Sequence, residues 1–175
     1  MVKSIIRLLF ERAKEKMKLT RFLFIGTKAC GKSTLVSKLT DDVFSLKYIP
    51  TVGVDAKIIR RPGEKILLWD ASGSEENIEA QIKMADVIFA VFDLTSSFSF
   101  VGMTKIVENL SDVKAKIVVV GTKADLHGAS TVMTDNFICT SGKIGFNLDR
   151  FLSSPAKEEP EVKKQRCCVP AFFYS

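Results

Sequence analysis

The chain has 175 residues, 46% of them apolar and 26% charged, so it is long enough for one packed domain with short appendages. No apolar run approaches the roughly 18 residues of a membrane-spanning helix. Four Cys without C-x-x-C spacing and a single His argue against a disulfide framework, a zinc site or a His-based nucleophilic triad, and they favour a reducing, cytosolic compartment.

The first predicted element is a basic amphipathic helix at residues 1–20. Apolar side chains from Val2 to Met17 recur with helical spacing, and most of the basic side chains fall off that stripe. The helix either lies in a membrane interface or packs its stripe against the domain. One such anchor gives only marginal membrane attachment, so a second signal is expected.

Charge is concentrated in this arm. Residues 1–21 carry seven basic and two acidic side chains, whereas residues 22–154 carry fifteen of each, and the whole chain has a net charge of +6. A nucleic-acid groove would place the excess on the globular body. The pattern therefore favours a membrane surface or an acidic partner and predicts no nucleic-acid binding.

From Arg21 onward, short apolar runs alternate with helical stretches, which predicts an α/β domain at residues 21–154 with a doubly wound, mainly parallel sheet of six strands. The expected strands are 21–25, 54–60, 65–70, 87–93, 116–121 and 136–140. The expected helices are 32–40, 75–84, 98–110 and 146–153. Residues 155–175 are expected to form a flexible tail.

The strongest motif is G-T-K-A-C-G-K-S at residues 26–33, which follows a strand and opens a helix. It fits the pattern G-x-x-x-x-G-K-[ST], in which backbone N–H groups surround a phosphate and the helix N-terminus adds positive potential. Lys32 would reach the terminal phosphates, and the Ser33 hydroxyl would bind Mg²⁺. The sequence therefore predicts a phosphate-binding loop, or P-loop.

Two further strands end near a carboxylate. Asp70, in L-W-D-A-S-G, can hold a metal through water, or it can simply cap its strand. Asp125, in G-T-K-A-D, can accept two N–H bonds from a base with a ring amide and an amine, which guanine offers and adenine does not. The stem of Lys123 can lie along the plane of that base.

With these motifs in order, residues 20–153 resemble a small GTPase of the Ras superfamily. The sequence at 44–51 is similar to the family's first switch, and that at 68–75 is similar to its second switch, W-D-x-x-G-x-E. T-K-A-D at 122–125 resembles N/T-K-x-D, and T-S-G-K at 140–143 resembles T-S-A-K. The resemblance implies the P-loop NTPase fold of a small G domain, GTP and GDP as ligands, Mg²⁺ and GTPase activity.

The resemblance also assigns roles to the matching residues. The implied Mg²⁺ site comprises Ser33, Thr51 and Asp70. The implied catalytic residues are Lys32, Thr51, Gly73 and Ser74. The implied nucleotide-binding residues are Gly26, Lys28, Ala29, Cys30, Gly31, Lys32, Ser33, Thr34, Phe44, Tyr48, Thr51, Gly73, Thr122, Lys123, Asp125, Ser141, Gly142 and Lys143.

Two residues depart from the family pattern. Ser74 stands where most members have the Gln that orients the attacking water, and serine is too short to reach both that water and the phosphoryl group. Lys28 occupies a P-loop position usually held by a small or acidic residue, where it would strengthen GTP binding or crowd the arginine finger of a GTPase-activating protein (GAP). We expect slow hydrolysis; alternatively, Ser74 is a tolerated variant and a GAP supplies the missing group.

The body is also shortened. Only residues 126–139 separate the two base motifs, a gap that the family usually fills with a helix and a longer loop. His127, Gly128 and residues 131–135 leave room there for about one helical turn.

The branch within the superfamily is indicated by local stretches. F-D-L-T-S-S-F-S-F at 92–100, T-V-G-V-D at 51–55 and a basic tail reaching Cys167 and Cys168 are similar to Rab proteins. The N-terminal helix and I-P-T-V-G at 49–53 are similar to Arf-type GTPases. The Rab-like interpretation is favoured, with the Arf-like one as the alternative.

The expected function is a guanine-nucleotide switch in vesicle or membrane traffic, attached peripherally to the cytosolic face of an internal membrane. Exchange factors, GAPs and effectors are the expected partners, and Cys167 and Cys168 could supply a lipid anchor. A GTP-locked scaffold is the main alternative, and a P-loop enzyme such as a nucleotide kinase is a minor one.

Overall fold

The computed structural model describes residues 17–41, 53–72, 78–110, 112–127 and 136–153. Strands and helices alternate through most of this length. In chain order the elements are β1 (Lys18–Gly26), α1 (Lys32–Asp41), β2 (Val54–Arg61), β3 (Glu64–Ala71), α2 (Glu79–Met84), β4 (Val87–Asp93), α3 (Ser97–Glu108), β5 (Lys116–Thr122), α4 (Ala124–His127), β6 (Phe137–Cys139) and α5 (Asp149–Ser153).

The six strands form one sheet in the order β2-β3-β1-β4-β5-β6. The β2–β3 pair is antiparallel, and the other four neighbouring pairs are parallel. β2 and β3 are joined by a tight turn in which Gly63 has a φ of +74°, a conformation that favours glycine. The predicted six-stranded, mainly parallel α/β architecture is confirmed.

Both faces of the sheet are covered, which explains the continuous apolar runs at 22–25 in β1 and 87–92 in β4. All seven residues of β4 are buried. One face carries a cluster of phenylalanines, in which the ring of Phe89 lies 4.9 Å from that of Phe24 and 5.0 Å from that of Phe151. On the opposite face, Leu23 and Ile88 belong to a second buried cluster. The five strands β1, β3, β4, β5 and β6 are mutually parallel, so all of their carboxyl ends lie at one edge of the sheet, where ligands bind in such folds.

The strand ends differ from the sequence prediction mainly at β1. It begins at Lys18, three residues before the predicted start, so residues 18–20 are strand and not the end of the predicted N-terminal helix. Pairing explains the extension: Lys18 and Thr20 lie opposite Glu64 and Ile66, and the Thr20 hydroxyl donates to the Glu64 carboxylate at 3.0 Å.

The shorter helices also differ. α4 was not predicted as a helix. α5 begins at Asp149 and not at Phe146, because Phe146 forms a bridge with Ser141 and Asn147 has a φ of +57°. α3 begins at Ser97, where the Ser96 side chain accepts a hydrogen bond from the Ser99 N–H at 3.2 Å and caps the helix.

Several predictions fall outside the described ranges. These are the N-terminal helix up to residue 16, most of the two switch segments with Phe44, Tyr48, Thr51, Gly73 and Ser74, and the tail with Cys167 and Cys168. Within the ranges that are described, no helix combines the length and apolar character needed to cross a bilayer.

Candidate functional site

The loop between β1 and α1 has the backbone of a phosphate cradle. Gly26 has a φ of +146°, and a Cβ there would lie 2.1 Å from the carbonyl oxygen of Val91, so only glycine fits. Gly31 has a φ of +99°, and Ala29 adopts the left-handed region with a φ of +59°. The glycines of the motif are therefore required by the turn itself.

Lys32 is folded back over this loop. It is only 6% exposed, and its Nζ donates to the carbonyl oxygens of Gly26 at 2.9 Å and Thr27 at 2.8 Å. The ammonium group is thus fixed at the centre of the loop, beside the N-terminus of α1. A buried cation beside the first turn of a helix is suited to binding a polyphosphate.

Helix α3 supports the loop from the side. The hydroxyls of Thr27 and Ser99 share a hydrogen bond of 2.8 Å, and Ser99 is buried. Gly102, one turn along α3, leaves room for the Thr27 methyl group, since a Cβ on Gly102 would lie 2.3 Å from it. The sequence analysis did not identify either contact, because Ser99 and Gly102, the partners of Thr27, lie outside the nucleotide-binding motifs.

Two oxygen-bearing side chains suited to Mg²⁺ lie near the same edge. Ser33 follows Lys32 in the first turn of α1 and is exposed. Asp70 is buried near the end of β3, in register with Phe24 of β1. Mg²⁺ takes hard oxygen ligands such as hydroxyl and carboxylate groups, so this donor set fits the ion.

A second group of polar side chains lies beyond the ends of β5 and β6. The Ser141 hydroxyl donates to one oxygen of Asp125 at 2.6 Å, and the Lys143 ammonium lies 3.9 Å from the other. These partners hold the carboxylate in a fixed orientation, and Gly142 lies between them in the chain. Three of the four predicted base-pocket side chains, Asp125, Ser141 and Lys143, are therefore brought together, whereas the fourth, Lys123, contacts Asp93.

The two segments that follow β5 and β6, residues 122–125 and 140–143, are together called the base loop here. Backbone and hydroxyl contacts tie this base loop to the P-loop. The buried Thr122 hydroxyl lies 2.6 Å from the carbonyl oxygen of Cys30 and 3.1 Å from that of Phe92, and can donate to them. Thr140, which is fully buried, donates its N–H to Gly121 and accepts from the N–H of Ala124. The phosphate and base loops therefore form one connected edge.

Burial affects the Cys30 thiol in the loop. Desolvation raises its pKa more than the nearby Lys32 ammonium lowers it, so the thiol stays protonated at neutral pH. Cys139, at the end of β6, is also buried and its pKa is raised for the same reason. Both cysteines are packing groups here, since each belongs to a buried apolar cluster.

A model of the Ras family matches residues 21–166, which include the whole sheet from Arg21 onward. The chain belongs to the Ras family. Within this small GTPase, the P-loop, the β3 carboxylate and the base loop lie in the order and at the edge that the motifs predicted.

Relatives of this GTPase carry Rab names. Ras-related protein RabV of Dictyostelium discoideum is 33% identical over 123 residues, covering 64% of this chain and 53% of RabV. Ras-related proteins RABE1d and RABE1e of Arabidopsis thaliana are 31% identical over 163 residues, covering 80% of this chain and 75% and 74% of their own lengths. The GTPase thus spans about half the length of RabV and three quarters of that of the plant relatives. Its similarity to these Rab-named proteins confirms the predicted Rab-like branch.

One contact of the GTPase was missed by the sequence analysis. Lys123, which has a φ of +58°, donates from Nζ to Asp93 at the end of β4 with a distance of 2.6 Å. Burial raises the pKa of Asp93, but the hydrogen bonds from Lys123 and Thr95 outweigh it and hold that pKa below its ordinary value. The clue in the sequence was an Asp at the end of a buried strand, the same signal that identified Asp70.

Proposed function

We propose that this GTPase is a switch that binds GTP and GDP with Mg²⁺, hydrolyses GTP slowly and regulates vesicle or membrane traffic. The observation that carries the proposal is the pairing of two preformed half-sites on one sheet edge: the Lys32-centred P-loop and the Asp125–Ser141 base loop. Their hydrogen-bonded connection through Thr122 supports a single ligand that spans both.

Binding would use the two half-sites differently. The Lys32 ammonium and the loop N–H groups would neutralise the terminal phosphates. The Asp125 carboxylate, oriented by Ser141, would accept two N–H bonds from guanine. An adenine in the same place would leave that carboxylate without its donors, which is a costly loss in a partly buried site.

The metal would be held by Ser33, with Thr51 in the GTP state and Asp70 behind it through water. Mg²⁺ held by these residues would supply positive charge to the phosphate oxygens. GTP would order residues 44–53 and 72–84 through Thr51 and the Gly73 N–H, which would create the effector surface. Hydrolysis would release both segments.

Slow hydrolysis follows from Ser74 and Lys28. Serine lacks the length to orient the attacking water, and an arginine finger, worth about 10³–10⁵ in rate, would meet the Lys28 side chain. Lys28 is exposed on the P-loop, which supports its availability to the γ-phosphate or to a regulator. If hydrolysis is negligible, the same residues make the chain a GTP-locked scaffold.

Single-turnover hydrolysis tests the proposal. The purified protein is loaded with GTP in Mg²⁺, with excess ATP as a check on base selectivity, and Ser74→Gln and Ser74→Ala are measured beside it. We expect the wild type and Ser74→Ala to stay loaded for hours while Ser74→Gln hydrolyses faster. If the wild type hydrolyses GTP as fast as Ser74→Gln, Ser74 does not limit the rate. Failure to load GTP would refute the proposed switch itself.

Membrane attachment is proposed through two weak signals. The basic amphipathic segment ahead of β1 would supply one and lipidated Cys167 and Cys168 the other, since a single weak anchor gives only marginal binding. Exchange factors, GAPs and effectors are the proposed protein partners. The full-length protein should sediment with anionic vesicles, and neutralising the basic residues of the arm should weaken this.

A further inference from the structure

Asp93 is held more tightly than a strand end requires. Its Oδ2 accepts from the Lys123 ammonium at 2.6 Å, and its Oδ1 accepts from both the N–H and the hydroxyl of Thr95, at 2.9 Å and 2.7 Å. The Asp93 side chain is 11% exposed, and that of Lys123 is 39% exposed. One carboxylate is thus fixed by three donors while the lysine that it holds still faces the solvent.

Asp93 also lies between the two half-sites. Its N–H donates at 3.0 Å to the Ser99 hydroxyl, which in turn shares a hydrogen bond with Thr27 of the P-loop. Lys123 belongs to the base loop. The Asp93 backbone N–H is therefore linked through Ser99 to the P-loop, and the Asp93 carboxylate is linked through Lys123 to the base loop.

We infer that Asp93 is a positioning residue for Lys123 and slows the release of guanine nucleotide. The inference rests on the proposed function, in which the Lys123 stem lies along the guanine plane. An unheld lysine samples many rotamers, and ordering it on binding opposes affinity. The ion pair orders the side chain before the nucleotide arrives, so the ordering does not have to accompany binding.

An alternative role for the ion pair is purely structural. In that case Asp93 would stabilise the end of β4 through Thr95, and its loss would act independently of Lys123. The two roles predict different results when both residues are changed, because a positioning residue has nothing left to position once the lysine is absent.

The test is a double-mutant cycle on the release of fluorescent GDP from the full-length protein in Mg²⁺. Asp93→Asn keeps the shape of the side chain and removes its charge. We expect it to speed release about tenfold in the wild-type background, the effect of weakening one charge-assisted hydrogen bond. In the Lys123→Met background the same change should alter release less than about twofold.

Asp86→Asn is the matched control. Asp86 is paired with Arg21 before β4, at the other end of the sheet, so the same substitution should leave release unchanged. Asp93→Glu keeps the charge and should release GDP more slowly than Asp93→Asn. If Asp93→Asn acts equally in both lysine backgrounds, or does not speed release at all, the inference is overturned while the switch stands. If the wild type does not retain GDP, the proposed function fails and the inference fails with it.

Discussion

Substituting Gly142 should change the stability of the fold, and the direction of that change depends on a single steric contact. The family pattern T-S-A-K places alanine at this position, so Gly142→Ala would bring the chain closer to its family. Gly142 does not have a positive φ, so its backbone does not demand glycine. However, a Cβ would lie 2.9 Å from the methyl group of Thr34 on α1 and 3.6 Å from that residue's backbone carbonyl.

The expected cost follows from two opposing terms. Forcing an extra methyl group into a packed site costs about 1–3 kcal/mol, and the β-branched Thr34 has few χ1 rotamers in its helix into which its methyl group could move. Replacing glycine by alanine restricts the unfolded chain and contributes about 0.4–1 kcal/mol in favour of folding. We therefore expect Gly142→Ala to destabilise the protein by about 1 kcal/mol.

Thr34→Ser removes the obstructing methyl group and keeps the hydroxyl. In the Thr34→Ser background the steric cost is absent and only the restriction of the unfolded chain remains. Gly142→Ala should therefore stabilise the fold by about 0.4–1 kcal/mol. The measurement is urea unfolding of all four proteins at one saturating concentration of Mg²⁺ and GDP, because bound ligand adds to apparent stability. A Gly142→Ala effect of the same sign and size in both backgrounds would refute the steric argument.

Three further outcomes follow from contacts described above. Gly102→Ala should lower stability and speed GDP release, since its Cβ would lie 2.3 Å from the Thr27 methyl group, and Thr27→Ser in the same protein should restore both. Cys30, whose pKa is raised by burial, should react with iodoacetamide at pH 8 at least about tenfold more slowly in the folded protein than in urea, as followed by peptide mass spectrometry. Asp93, whose pKa lies below its ordinary 3.8, stabilises the fold above about pH 4 and loses that contribution as the pH falls further, so Asp93→Asn should flatten the acid end of the stability profile measured by urea unfolding.

Local patterns were enough to predict all six strands of the sheet and to locate the P-loop. The apolar runs that became β4 and β5 are continuous, because parallel strands are buried on both faces. The P-loop is a contiguous motif, so Gly26 and Lys32 could be located by spacing alone. The base loops could be paired because parallel strands bring their carboxyl ends together.

The features that the sequence did not predict depend on contacts between distant parts of the chain. The Lys123–Asp93 ion pair joins residues 30 positions apart, and nothing in either local sequence indicates which carboxylate the lysine meets. The Thr34 contact that explains glycine at position 142 crosses from α1 to the loop after β6. The early start of β1 likewise depends on its pairing with Glu64, which competes with a helical pattern that continues to Lys18.

The nine residues of β1 run from the hairpin turn, where the Lys18 N–H donates to Gly63, to the first glycine of the P-loop. At about 3.3 Å per residue, the point where the chain enters the sheet lies some 26 Å from Gly26, where the proposed phosphate-binding loop begins. A tether attached ahead of this strand would thus hold the protein by the end remote from its ligand. An immobilising tag placed there should leave nucleotide exchange unhindered and large regulators free to approach, which makes the amino end the natural choice for surface-based kinetics.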